Sequence, residues 1–127
     1  IPSNGGYSIT SSISGKAIAY AGGGGTAGKS DNTESYRTPA GYALGGAGFA
    51  NGSNTQAFAG AANTGSGGGG THSTSAQRYG GNGGSGVVIF RLATSEYSGT
   101  TTGSPTVTTD GDYTVLTYTG SGTYVHS

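Results

Sequence analysis

Residues 17–30 read "AIAYAGGGGTAGKS", and two incompatible folds can be drawn from them. From Gly23 to Ser30 the stretch fits G-x-x-x-x-G-K-[ST], the phosphate-cradling loop of nucleotide-binding enzymes. In the other reading, Gly22 to Gly25 form one of several glycine rods, with Lys29 and Ser30 in a solvated loop at its end. A phosphate loop needs a buried strand before it and a helix after it, with the helix N-terminus facing the phosphates. Residues 17–21 could supply the strand. Residues 31–46, "DNTESYRTPAGYALGG", hold Pro39, Gly41 and two further glycines and no apolar stripe, so the helix is missing. No second apolar strand ends in an Asp that could hold Mg²⁺. The rod reading is the one to pursue, and it carries a test. Lys29→Ala is expected to leave nucleotide binding unchanged, whereas a measurable loss in that variant would restore the enzyme reading.

Composition points the same way. The chain has 127 residues, 29 of them Gly, with 8% charged residues and no Cys, Met or Trp. Ile, Val, Leu and Phe together make sixteen residues, too few for an ordinary side-chain core. Low hydrophobicity signals disorder only when joined to high net charge, and the formal net charge here is zero. Backbone-to-backbone contact must then replace side-chain burial. Zero cysteines exclude disulfides, thiol catalysis and thiolate metal sites. Five basic and five acidic residues, scattered singly, leave no footprint for nucleic acid or an anionic membrane. No apolar run approaches the roughly 20 residues that span a bilayer. The first residue is Ile, which favours a piece of a longer chain.

Glycine gathers in islands at 22–25, 45–48, 67–70 and 80–86, and the first three start at intervals of 23 and 22 residues. Extended three-fold helices of polyproline II geometry have no internal hydrogen bonds, so each backbone group is free to pair with a neighbour. Glycine alone lets several of them touch along their length, which predicts packed polyglycine II helices with polar loops at their ends. No segment keeps the helical apolar period, so no α-helix is expected. Around the islands, "SSISGKAIAYA" places Ile13, Ile18 and Tyr20 about a Ser-Gly turn. "GVVIFRL", residues 86–92, is an apolar run of strand length, expected where both faces are covered. "PTVTTDGDYTVLTYTGSGTYV" predicts a C-terminal β-hairpin plus a third strand, with Asp110-Gly111 as a type I′ turn signal. The expected architecture is all-β and glycine-rich: a small β-sandwich-like scaffold holding polyglycine rods. Its parts are a rod domain over 1–92, with strands at 9–21 and 86–92, and a hairpin extension over 93–127.

Chemistry-bearing patterns are sparse. His72 and His126 lie 54 positions apart, and no serine stands in a G-x-S-x-G elbow. Asp110 and Asp112 lack the further oxygen ligands and closing Glu of a calcium loop. The reading is therefore non-enzymatic, with no catalytic residue, metal or cofactor assigned. The inter-island segments are richer: Tyr36, Arg37, Phe58, His72, Gln77, Arg78 and Tyr79 sit among Ser, Thr, Gly and Asn. Rigid aromatics mixed with small polar residues are the make-up of antibody-type binding loops. These seven are the candidate contact residues.

The ordered set "SSISGKAIAYAGGGG" (11–25), "AANTGSGGGG" (61–70) and "GGNGGSGVVIFRL" (80–92) resembles the glycine-rich domain near the C-termini of bacteriophage tail fibres and other virion proteins. Asn63-Thr64-Gly65 and Ser85 to Arg91 fit that pattern closely, and residues 102–125 resemble a frequent ending of such proteins. The resemblance implies a likeness to the glycine-rich extracellular region of the anaplastic lymphoma kinase receptor, where polyglycine helices pack beside a jelly-roll-like sandwich. It also implies a virion location on a tail appendage, homotrimeric assembly with other virion subunits, and loops that meet a host-surface glycan or an outer-membrane protein loop. Neither nucleic acid nor membrane insertion is implied. The architectural alternative is a capsid decoration, head fibre or filament subunit. The family's N-terminal half, with its own strands and a longer glycine tract, is not present here, which implies a fragment of a longer virion protein.

Overall fold

The computed structural model describes residues 5–26, 44–50, 56–72 and 77–126. Strands, extended rods and one 3-10 turn make up these residues, with no α-helix among them, and the fold is all-β. Strands β1 (Ile9–Ser11) and β2 (Ile18–Tyr20) pair with each other. The expected Ser-Gly turn lies between them: Gly15 N donates to the Ser12 carbonyl at 3.0 Å, with Gly15 at φ +87°. The chain resolves into two compact units, residues 1–9 with 19–86, and residues 10–18 with 87–127.

Among its described residues the first unit shows five glycine-rich rods, I (21–26), II (44–48), III (56–61), IV (64–70) and V (79–85), with residues 5–6 laid against rod I. Lateral hydrogen bonds join them at a three-residue period. Gly67 and Gly70 N donate to the Gly22 and Gly25 carbonyls, so rods IV and I run parallel. Ala57 and Gly60 N donate to Tyr79 and Asn82, so rods III and V run parallel. Phe58 and Ala61 N donate to Ala47 and Leu44, and Gly81 and Gly84 N to Gly69 and Ser66, so III opposes II and V opposes IV. Strands β3 (Phe49–Ala50) and β4 (Thr71–His72) extend rods II and IV as a parallel pair. A bond every third residue is the signature of three-fold extended helices, about 9 Å per turn.

The three repeated islands close a ring. Gly25 N donates to Gly46 O, Gly46 N to Gly67 O, and Gly67 N to Gly22 O. The internal repeat therefore lays down three parallel rods side by side. Their spacing leaves no room for a side chain. A Cβ on Gly24 would lie 1.9 Å from the Gly68 oxygen, and one on Gly46 would lie 1.9 Å from the Phe58 oxygen.

In the second unit, β5 (Val88–Ala93), β7 (Thr106–Asp110) and β8 (Tyr113–Tyr118) form an antiparallel sheet in the order β5-β8-β7. A second thin layer is the pair β6 (Thr101–Thr102) and β9 (Thr123–Tyr124). The two layers meet through Tyr118, whose hydroxyl donates to the Thr123 carbonyl at 2.7 Å. Phe90 packs edge-on against the same ring at 6.1 Å, and Tyr97 stacks on Tyr124 at 6.0 Å.

Two sequence expectations are corrected here. The apolar run 86–92 does not form the strand covered on both faces. As β5 it takes an edge, with Val88 and Phe90 55% and 45% exposed. The central strand is β8, where Val115 and Leu116 are both fully buried although neighbours on a strand point to opposite faces. The hairpin between β7 and β8 also differs from the expected type I′ turn. Asp110 pairs with Tyr113, and the positive φ falls on Gly111 alone, whereas a type I′ turn needs positive φ at both central residues. Asp110 thus closes the strand instead of entering the turn. From there its Oδ2 meets Arg91 Nη1 at 2.7 Å, and the Arg91 guanidinium lies 4.4 Å from the centre of the Tyr113 ring.

Candidate functional site

Rod direction gives the first unit two distinct ends. Rods I, II and IV run toward the end that holds Thr26, Ala50 and His72, and rods III and V start there at Gln56 and Tyr79. The opposite end is closed by side chains. Asn63 stands at φ +59° and Gly65 at +67°, turning the chain from rod III into rod IV. Thr64 Oγ1 donates to the Ala61 carbonyl at 2.7 Å. The Ser66 hydroxyl then donates to Thr64 Oγ1 at 2.7 Å and accepts from Gly22 N at 3.1 Å. Asn63 N donates to Ser85 Oγ at 2.8 Å, and Ser85 returns its proton to Asn63 Oδ1 at 3.0 Å. This network explains why Asn, Thr and Ser stand between the glycine runs: each supplies a partner that a glycine rod end lacks, while Gly65 supplies the positive φ of the turn.

Ser66 is only 2% exposed, so its loss leaves the Gly22 N–H without that partner in a dry place. Ser66→Ala is expected to cost about 2 kcal/mol, lowering the melting temperature by roughly 4–10 °C in a thermal scan. Ser85→Ala, at an exposed position, is expected to cost less than about 1 kcal/mol.

The candidate contact residues gather toward the other end. Gln56 and Tyr79 face each other as a parallel bridge between rods III and V, and Gln56 Nε2 donates to the Gly80 carbonyl at 3.3 Å. Tyr79 is 54% exposed beside half-buried Arg78 and exposed Gln77. Phe58 is anchored by its backbone alone: its carbonyl accepts from Gly69 N at 3.0 Å while its ring stays 54% exposed. His72, half-buried, ends β4 on rod IV. The structure thus places Phe58 and Tyr79 on rods III and V, His72 on the strand that extends rod IV, and Gln77 and Arg78 just before rod V, with Gln56 joining them. Tyr36 and Arg37 lie outside the described residues, as do Lys29 and Ser30 of the phosphate-loop match.

Rod I also bears on the phosphate-loop question. A cradle works through free backbone N–H groups pointed at the anion. Gly23 N is taken by Gly6 O at 3.0 Å and Gly25 N by Gly46 O at 3.0 Å. These two donors hold rod I to residues 5–6 and to rod II.

Fold and site together define a glycine-lattice domain with one end sealed by side chains and one end bearing polar and aromatic groups. The chain belongs to the glycine-rich domain family, which it matches over residues 2–93. No curated protein and no solved structure matches it significantly.

Proposed function

We propose that the chain is a non-enzymatic module of a bacteriophage virion, placed at the distal part of a tail fibre, where it presents its inter-rod loops to the host surface. One observation carries this reading. The chain leaves rods II and IV at Ala50 and His72 and re-enters rods III and V at Gln56 and Tyr79, all at one end of a hydrogen-bonded lattice. A rigid scaffold that starts and ends two of its connections side by side is an arrangement that binding loops use. Phe58 and Tyr79 offer aromatic faces there, and Gln56, Gln77, Arg78 and His72 offer hydrogen-bonding groups, a set that suits a surface glycan or an outer-membrane protein loop. The glycine-run anchors that resemble tail-fibre domains add to the reading.

As a tail-fibre tip the chain would assemble as a homotrimer; a second reading is architectural, a capsid decoration, head fibre or filament subunit whose loops bind sister subunits. Val88, Phe90 and Val107 favour it, since all three are 44–55% exposed on one face of the three-stranded sheet. Gold-labelled antibody against this segment, viewed on intact particles by electron microscopy, separates the two. The adhesin reading expects label at the tips of tail appendages and competition by the isolated module for cell binding. Label over the capsid or spaced along a filament overturns it.

A further inference from the structure

We propose that the second unit holds a separate site for a sugar residue bearing a carboxylate, in the cleft between the turn at 12–18 and strand β7. This inference does not rest on the adhesin reading of the rod-end loops. The cleft encloses about 330 Å³ and is lined by Ser14, Lys16, Ile18, Thr108, Asp110 and Thr117 among others, a volume at the small end for ligand sites. The register places Thr108, Asp110 and Thr117 on one face of the sheet.

Each lining group has a fitting role. Asp110 Oδ2 is held by Arg91 at 2.7 Å. A carboxylate accepts through both oxygens, so Oδ1 remains to take ligand hydroxyls. Gly15 lets the turn approach this carboxylate, for a Cβ there would fall 2.9 Å from the Asp110 Cγ at a φ of +87°. The hydroxyls of Thr108 and Thr117 line the same cleft and can both donate and accept. Ile18, 40% exposed, offers an apolar patch for the C–H face of a ring.

Charge then selects the ligand class. Arg91 is balanced by Asp110, whereas Lys16 is exposed and makes no ion pair among the described residues. The cleft therefore carries one uncompensated positive charge beside an oriented carboxylate. A bare sulfate brings no hydroxyl donor for Asp110, and a neutral sugar would leave Lys16 unused. A hydroxyl-rich ring with one carboxylate satisfies both groups: the ring hydroxyls donate to Asp110 and the carboxylate meets Lys16.

The test is an amide-shift titration of the 127-residue chain with D-glucuronate, run beside D-glucose and acetate. Saturable shifts at Gly15, Lys16 and Thr108 to Asp110 are expected with glucuronate, at roughly tenfold lower concentration than with either comparison compound. Lys16→Gln, at an exposed position, is expected to keep the spectrum of the folded chain and to weaken glucuronate about tenfold. Acetate matching glucuronate would reduce the cleft to a nonspecific anion contact and overturn the proposal. Glucose matching glucuronate, an unaffected Lys16→Gln variant, or no saturable shift would overturn it as well.

Discussion

Gly68→Ala is expected to disrupt the rod bundle, with a loss of at least about 3 kcal/mol in urea denaturation. The new Cβ would lie 1.9 Å from the Gly81 oxygen and 2.6 Å from the Asn82 oxygen. An overpacked side-chain core relaxes by rotamer changes and usually loses about 1–3 kcal/mol. Here the obstacle is backbone held in lateral hydrogen bonds, so rods IV and V must part. Gly81 N to Gly69 O and Gly84 N to Ser66 O are the bonds at risk, each worth about 1 kcal/mol net. Gly6→Ala is the control, because nothing stands within 4 Å of its added Cβ; that change is expected to stay within about 0.5 kcal/mol. Amide exchange at Gly67 to Gly70 would report the same contrast residue by residue. Equal effects from the two substitutions would show that close backbone approach is not what holds the unit together.

Leu116→Ala is the second large effect, about 2–5 kcal/mol. Leu116 is fully buried at the centre of the three-stranded sheet, in register with Phe90 on one side and Val107 on the other. Only Ala57, Val115, Leu116 and Tyr118 are buried hydrophobic residues among those described, so few neighbours can collapse into the cavity. Val107→Ala, 44% exposed on the same cross-strand row, is expected to cost less than about 1 kcal/mol. Near-ultraviolet circular dichroism would follow the loss through the edge-on contact of Phe90 with Tyr118. A Leu116→Ala variant no less stable than Val107→Ala would move the core of this unit elsewhere.

The rods were legible because their cause is local. Runs of Gly at 22–25, 45–48 and 67–70 have one efficient way to pack, and their near-equal spacing already hinted at equivalent elements. Rod direction was not legible, since it follows from which bonds form across the lattice. The central place of β8 was hidden for a related reason. "VVIFRL" carries more apolar residues than "YTVLTY", and hydropathy alone ranks it as the better-covered strand. Strand order decides instead, because only β8 has a partner on both sides. The anchor Asn63-Thr64-Gly65 stood out as a motif, while its task of closing the rod ends with Ser66 and Ser85 needed coordinates. Phe58, His72, Gln77, Arg78 and Tyr79 were nominated by residue mixture, while their gathering toward one end of the bundle follows from rod direction. The cleft at Lys16 and Asp110 was missed, because its two sides are 94 positions apart in sequence.

A lattice made of backbone also fixes how stability answers to temperature. Unfolding raises the heat capacity when apolar surface meets water and lowers it when polar surface does. Ala57 is the one buried hydrophobic residue described in the rod unit, while the contacts that open on unfolding are mostly peptide groups. Its heat-capacity increment should fall well below the usual ~12–15 cal/mol/K per residue. A small increment flattens the curve of free energy against temperature, so the bundle would lose little stability on cooling. The rods would stay assembled through cold and warmth alike, independent of the water-driven force that holds an ordinary core.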